Sequence, residues 1–363
     1  MKMRRRDVLT LMSGVMMAPP LSPALTQGAT NWRVPAEEAL HERTLLQWPV
    51  SRAVYPERWF LREVQSAILA LANTIAAYEP VVMLAEASHH SAIRRHVSDG
   101  VDLWNIPTDD LWARDSGPLF CVDGHGGLAI RQLNFNGWGG RQSHSSDGLI
   151  AERVALRLGV PILDNGLVGE PGGVEQDGAG TLMAHESSWV NPNRNSGTRH
   201  EIERLLLEAY GASQMIWAPG LMGLDITDYH IDALARFVRP GSVLMQMPGY
   251  ADSSDPWNRA AHDTRAILET TIDGWGRTLQ ITEIHDPRNA RVNASDFLAS
   301  YANYYVCNGA VIAAEFGDAE ADTMAHDTLT KLYPEREVIA VNVDALGWIG
   351  GGIHCATQQQ PAV

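Results

Sequence analysis

The chain has 363 residues, 45% of them apolar and 20% charged, with 32 Gly and 19 Pro, a composition that excludes intrinsic disorder, collagen and coiled coil. A formal charge of -15 makes nucleic acid and anionic membrane surfaces poor partners and favours the approach of cationic solutes. The three cysteines are too few, and odd in number, for a disulfide framework, so at least one thiol is free or paired with another molecule.

Lys2, Arg4, Arg5 and Arg6 precede an apolar run over 8–17 and the small-residue stretch Ser22-Pro23-Ala24. This is the pattern of an export signal, and Arg5-Arg6 followed by Asp7-Val8-Leu9 fits the twin-arginine form. The run is shorter than the ~20 residues that cross a bilayer. The expected organisation is therefore a leader over 1–29 and a single domain over 30–363, exported to the periplasm or beyond and free of the membrane once cleaved. Losing residues 1–24 removes four positive charges and one negative, taking the net from -15 to -18.

Past residue 30 no linker or low-complexity tract marks a boundary. Phe60, Leu61, Val64, Ala67, Ile68, Leu71 and Ile75 recur at helical spacing, which predicts a helix over 56–78, stopped by Glu79-Pro80, and a strand over 81–84. The runs 119–122 and 128–134, joined by Asp123-Gly124-His125-Gly126-Gly127, read as a hairpin. Further helical patterns fall at 88–97, 148–158, 199–210, 258–272 and 319–332, flanked by apolar runs at 214–217, 233–238, 242–247 and 338–343. Several strands and one helix recurring every 50–60 residues suggest radial or stacked repetition.

Four segments could carry chemistry. In Gly350-Gly351-Gly352-Ile353-His354-Cys355 a cysteine follows a glycine turn that permits close backbone approach; it is a candidate nucleophile or a small buried hydrophobe. Cys121 and Cys307 lie within apolar strand patterns and read as core. A nucleophilic thiol needs a base or a cationic neighbour. Asp225-Ile226-Thr227-Asp228-Tyr229-His230-Ile231-Asp232 surrounds one histidine with carboxylates, and on an extended strand His230 and Asp232 would share a face. That cluster fits a catalytic pair, a metal site or a solvated loop. Trp112-Ala113-Arg114-Asp115-Ser116-Gly117-Pro118 offers a carboxylate beside a flat apolar ring, suited to a planar cation, or equally a packed Trp and a surface ion pair. Glu170-Pro171-Gly172-Gly173 places a carboxylate ahead of a glycine turn.

Taken in order, W-x-R-D-x-G-P, a Glu before glycine-rich turns, Asn191-Pro192-Asn193-Arg194-Asn195, D-x-T-D-x-H-x-D and G-G-G-x-H-C-x-T-Q-Q resemble the agmatine deiminase and bacterial-type peptidylarginine deiminase family. Glu37, Thr44, Trp48-Pro49 and the stretch Asn134 to Gly140 add to the resemblance, which spans residue 31 onward. The resemblance implies a fivefold pseudosymmetric α/β propeller (pentein) of ββαβ units, and deimination of a small cationic guanidino substrate, agmatine first and peptide-borne arginine second, with no metal or organic cofactor. A non-catalytic binding protein for such cations is the reading from a different class. Carried onto this chain, Cys355 matches the nucleophile, His230 the proton carrier, Glu170 its orienting partner, and Asp115 and Asp232 the guanidinium clamp. Trp112, Asp228 and Gly352 are expected beside the substrate. Pro171 and Tyr229 stand where the family commonly has glycine. Nucleic acid is not an expected partner, and oligomeric state is left open.

Overall fold

The computed structural model describes residues 32–250 and 252–363; the expected leader lies outside them. Strand β1 (His41–Gln47) runs parallel to β2 (Val81–Ala85), with helix α1 (Arg58–Ile75) crossing between them, and β3 (Val101–Asn105) adds parallel to β2. The next sheet pairs β4 (Leu119–Val122) antiparallel with β5 (Leu128–Gln132). Helix α2 (Ile150–Leu158) then leads to β6 (Ile162–Asp164), parallel to β5. The same antiparallel-then-parallel order follows three more times. β7 (Val174–Gln176), β8 (Thr181–His185), α3 (Arg199–Tyr210) and β9 (Gln214–Ala218) form the first of these. β10 (Ala235–Arg239), β11 (Ser242–Met247), α4 (Pro256–Thr270) and β12 (Gln280–His285) form the second. β13 (Tyr305–Cys307), β14 (Ala310–Glu315), α5 (Ala319–Leu332) and β15 (Glu337–Asn342) form the third. Finally β16 (Gln358–Pro361) pairs antiparallel with β1, giving the first sheet the same ββαβ arrangement as the rest. This fivefold ββαβ pattern is the pentein propeller.

Strands β2, β11 and β14 are buried on both faces along nearly their whole length, which is why they read as largely apolar runs rather than alternating ones. Helix ends are set locally. Thr198 and Glu201 form a reciprocal capping box at the start of α3, and Gly211 ends that helix in the left-handed conformation. Asp255 caps α4 with Pro256 in its first turn, and Asp318 caps α5. The helices expected over 199–210 and 319–332 match these bounds, whereas α1, at Arg58–Ile75, is shorter at both ends than the expected 56–78. One expectation fails: residues 231–233 form a 3-10 turn rather than strand, so β10 starts only at Ala235. No helix among the described residues is long and apolar enough to cross a membrane.

Candidate active site

The chemistry-bearing residues sit on the connections between sheets. Trp112, Asp115, His230, Asp232 and Cys355 all line one cavity of about 1160 Å³. Asp115 belongs to a short helical turn (Ala113–Ser116) before β4, His230 caps and Asp232 lies within the 3-10 turn (Ile231–Ala233) before β10, and Cys355 lies in the loop before β16. His230 and Asp232 therefore meet through a tight turn, not through the shared face of a strand.

Gly172 shows how closely these groups converge. A Cβ built there would lie 2.5 Å from Asp115 Oδ1, 3.0 Å from His230 Nδ1 and 3.2 Å from Asp232 Oδ2. A side chain at this position would occupy the junction of all three. Gly351 works in the same way at the other wall, where a Cβ would come within 2.3 Å of the Trp112 indole. The glycine run thus permits contact at least as much as it permits bending.

Cys355 Sγ lies 3.4 Å from Asp232 Oδ2 and 3.1 Å from Asn303 Nδ2, while the Cys355 N–H donates to Asn303 Oδ1 at 3.3 Å. Burial, with the carboxylates of Asp232 and Asp115 nearby, pushes this thiol well above its ordinary value. Such surroundings favour the thiol over the thiolate. Cys121 and Cys307 are buried too, pushed by desolvation to about 11 and about 12, and have no place in the cavity. All three cysteines are unpaired.

His230 Nδ1 is 3.6 Å from Asp115 Oδ1, and Nε2 is 3.2 Å from Glu170 Oε2. Burial alone would lower its pKa, but Asp115, Glu170 and Asp232 outweigh that and hold the imidazole up at about 9. Glu170 lies behind the ring and is itself held by Arg194 Nε at 3.1 Å. Desolvation, together with the charges of Asp232 and Glu170, pushes Asp115 up to about 6 against the opposing pull of His230 and the Trp138 hydrogen bond. Asp232 is also desolvated, but a hydrogen bond and charge from His354, with His230 and Arg236, bring it below the ordinary carboxylate range. The two acids thus differ in environment. Asp115 Oδ2 accepts from Trp138 Nε1 at 2.9 Å and Asp232 Oδ2 from His354 Nδ1 at 2.8 Å. Oδ1 of each is buried with no hydrogen-bond partner among the described residues.

Two expected substrate contacts are placed otherwise. Asp228 is fully buried and spends its carboxylate on Arg194 Nη1 (2.6 Å), Arg141 Nη2 (2.8 Å), the Gly223 N–H (2.7 Å) and Asn193 Nδ2 (3.2 Å). It does not line the cavity, and it acts on the site through Arg194 and Glu170. Gly352 is also away from the cavity lining; a Cβ there would meet Asn303 Oδ1 at 2.5 Å, so its smallness serves the asparagine that holds Cys355.

Several groups carry no assignment from the sequence reading. Asn303 and Trp138 hold the reacting side chains directly. His354 links Asp232 to Glu37, its Nε2 lying 2.9 Å from Glu37 Oε2. Glu37, Glu175 and His354 are close enough together to hold a metal ion. Arg236 already supplies the cation there, 2.9 Å from Glu37 and 2.6 Å from Glu175. His354 and Trp138 sit within stretches that support the family resemblance, which is the one signal that could have flagged them; Asn303, between Ala302 and Tyr304, carried none.

The profile of the Porphyromonas-type peptidyl-arginine deiminase family matches residues 33–361. The chain belongs to that family. An agmatine deiminase of Stutzerimonas stutzeri is 34% identical, covering 92% of this chain and 96% of its own. One of Pseudomonas aeruginosa is 32% identical over 94% and 98%. Among solved structures, agmatine deiminase of Enterococcus faecalis superposes with a TM-score of 0.85 at 25% identity, covering 92% of this chain and 96% of its own.

Proposed function

We propose that this family member hydrolyses the guanidinium group of agmatine to N-carbamoylputrescine and ammonia. The observation that carries the reading is that Asp115 and Asp232, each with a buried Oδ1 that has no hydrogen-bond partner among the described residues, line the cavity that Cys355 also lines. Buried acceptors of this kind are satisfied by a donor-rich planar cation, which needs no acceptor in return.

A guanidinium carbon is a weak electrophile because its charge is spread over three nitrogens. Asp115 and Asp232 fix its plane and keep it cationic. The bound cation then opposes the two carboxylates that hold the Cys355 proton, so the thiol releases that proton to solvent and the thiolate attacks the carbon. Charged His230, oriented by Glu170, protonates one nitrogen of the tetrahedral adduct; the C–N bond breaks and ammonia leaves. Neutral His230 next takes a proton from the attacking water, the C–S bond breaks, and the ureido product departs.

The test is product analysis with agmatine, arginine and a blocked arginine peptide. Ureido product and ammonia from agmatine are expected, with turnover abolished and binding retained in Cys355→Ala. No ureido product from any of them would overturn the reading. Turnover of the peptide alone would favour the second reading, peptide-borne arginine, for which the exposed apolar rim of Leu224, Tyr250 and Trp348 speaks. On the strength of the leader pattern over 1–29 we also place the protein outside the cytoplasm, a claim checked by fractionating a reporter fused to those residues.

A further inference from the structure

Arg236, on β10, is 1% exposed and lies outside the cavity. Four acceptors surround its guanidinium. Nη2 is 2.9 Å from Glu37 Oε2 and Nε is 2.6 Å from Glu175 Oε1, while Nη1 donates to the carbonyls of Tyr304 at 2.7 Å and Ala302 at 3.4 Å. A planar fork can serve that many partners at fixed angles, whereas an ammonium cannot.

Two lines run from this cation to the reacting groups. The first passes through Glu37, whose Oε2 is 2.9 Å from His354 Nε2, and on to His354 Nδ1, 2.8 Å from Asp232 Oδ2. Only the imidazolium form of histidine donates from both nitrogens, so the ring between these two acids works as a cation that Glu37 sustains. Burial opposes the charge of Glu37, but Arg236, His354 and Arg114 outweigh it and hold this carboxyl well below its ordinary range. The second line is the backbone on either side of Asn303. Its two flanking carbonyls are the ones Arg236 holds. Asn303 Nδ2 lies 3.1 Å from Cys355 Sγ and 3.3 Å from the Asp232 carbonyl, and its Oδ1 accepts the Cys355 N–H. The titratable and charged groups acting on Asp232 are His354, His230, Arg236, Asp115, Glu175 and Cys355; those acting on His354 are Glu37, Asp232 and Glu175.

We propose that Arg236 and Glu37 are positioning residues for the reaction: through His354 they fix the Asp232 arm of the clamp, and through the Ala302 and Tyr304 carbonyls Arg236 fixes Asn303 behind the Cys355 sulfur. The proposal rests on the deiminase reading of the Cys355 centre. Its test is the pH dependence of agmatine turnover in Glu37→Gln and Arg236→Lys, each checked for folding by a circular-dichroism melt. Glu37→Gln withdraws the charge that sustains the His354 cation, so Asp232 becomes easier to protonate. The acid limb of kcat/KM should then move upward by about one pH unit, with a loss of about tenfold at pH 6 and less than about threefold at pH 8.5 relative to wild type. Arg236→Lys keeps a charge beside Glu37 and gives up the fork, so kcat should fall by about tenfold or more across the pH range while KM stays within about threefold. A Glu37→Gln limb that coincides with wild type, a Glu37→Gln loss equal at every pH as damaged packing alone would give, or an Arg236→Lys kcat within about twofold of wild type would each overturn the positioning role and leave the deiminase reading intact. Should Arg236→Lys not fold, Glu37→Gln decides alone. If the wild-type protein makes no ureido product, the deiminase reading fails and the positioning role falls with it.

Discussion

Replacing Gly172 by alanine is the sharpest perturbation of the proposed centre, because the added methyl would touch three reacting groups at once. Gly172 is outside the left-handed region, so the backbone accepts alanine without strain. The Cβ would sit 2.5 Å from Asp115 Oδ1, where ordinary contact begins near 3.4 Å, so the carboxylate must withdraw by about 0.9 Å. Trp138 Nε1 at 2.9 Å holds the other oxygen and resists that movement. A misplacement near 1 Å costs on the order of 100-fold in rate, or about 2.7 kcal/mol of transition-state stabilisation. Global stability should change little, since alanine removes about 0.4–1 kcal/mol of unfolded-chain freedom, which offsets part of the local clash. The assay is ammonia release from agmatine beside a circular-dichroism melt. A folded Gly172→Ala protein with a rate within about threefold of wild type would refute the convergence of Asp115, His230 and Asp232 as the working geometry.

Three further outcomes follow from the charges. Asp115 must be ionised to clamp a cation, so kcat/KM should rise with pH through about 6, and Trp138→Phe, which removes a bond that favours the ionised form, should move that limb upward. His230 must be protonated to act as acid, so kcat should fall on the alkaline side, at or below about 9 because the bound cation disfavours the imidazolium; a pH-rate profile of both parameters checks each limb. Asp228→Ala should destabilise the fold by about 3–5 kcal/mol, because it leaves Arg194 and Arg141 without a shared buried partner, and a melt lowered by less than one degree would contradict that role.

The repeat was legible because each unit carries its own pattern. The apolar middle strands and the helices 199–210 and 319–332 are written in local periodicity and caps, which do not depend on distant residues. The cluster from Asp225 to Asp232 was legible as chemistry but not as geometry. Alternation predicted a strand, whereas the carboxylate of Asp225 binds three following donors and folds the segment into a turn. Asp228 misled for a related reason, since a carboxylate two residues from His230 looks like a ligand contact until Arg194, distant in sequence, claims it. Asn303 and Trp138 were invisible as roles because only the closing of sheets from far-apart segments brings them to Cys355 and Asp115.

The pairing of β16 with β1 also bears on timing. Of the five groups in the proposed mechanism, the sulfur is the last to leave the ribosome, and the strand that follows it pairs with one made some three hundred residues earlier. A nascent chain can therefore assemble the acids and the imidazole without being able to attack anything, and competence arrives in a single late step when head and tail are zipped together.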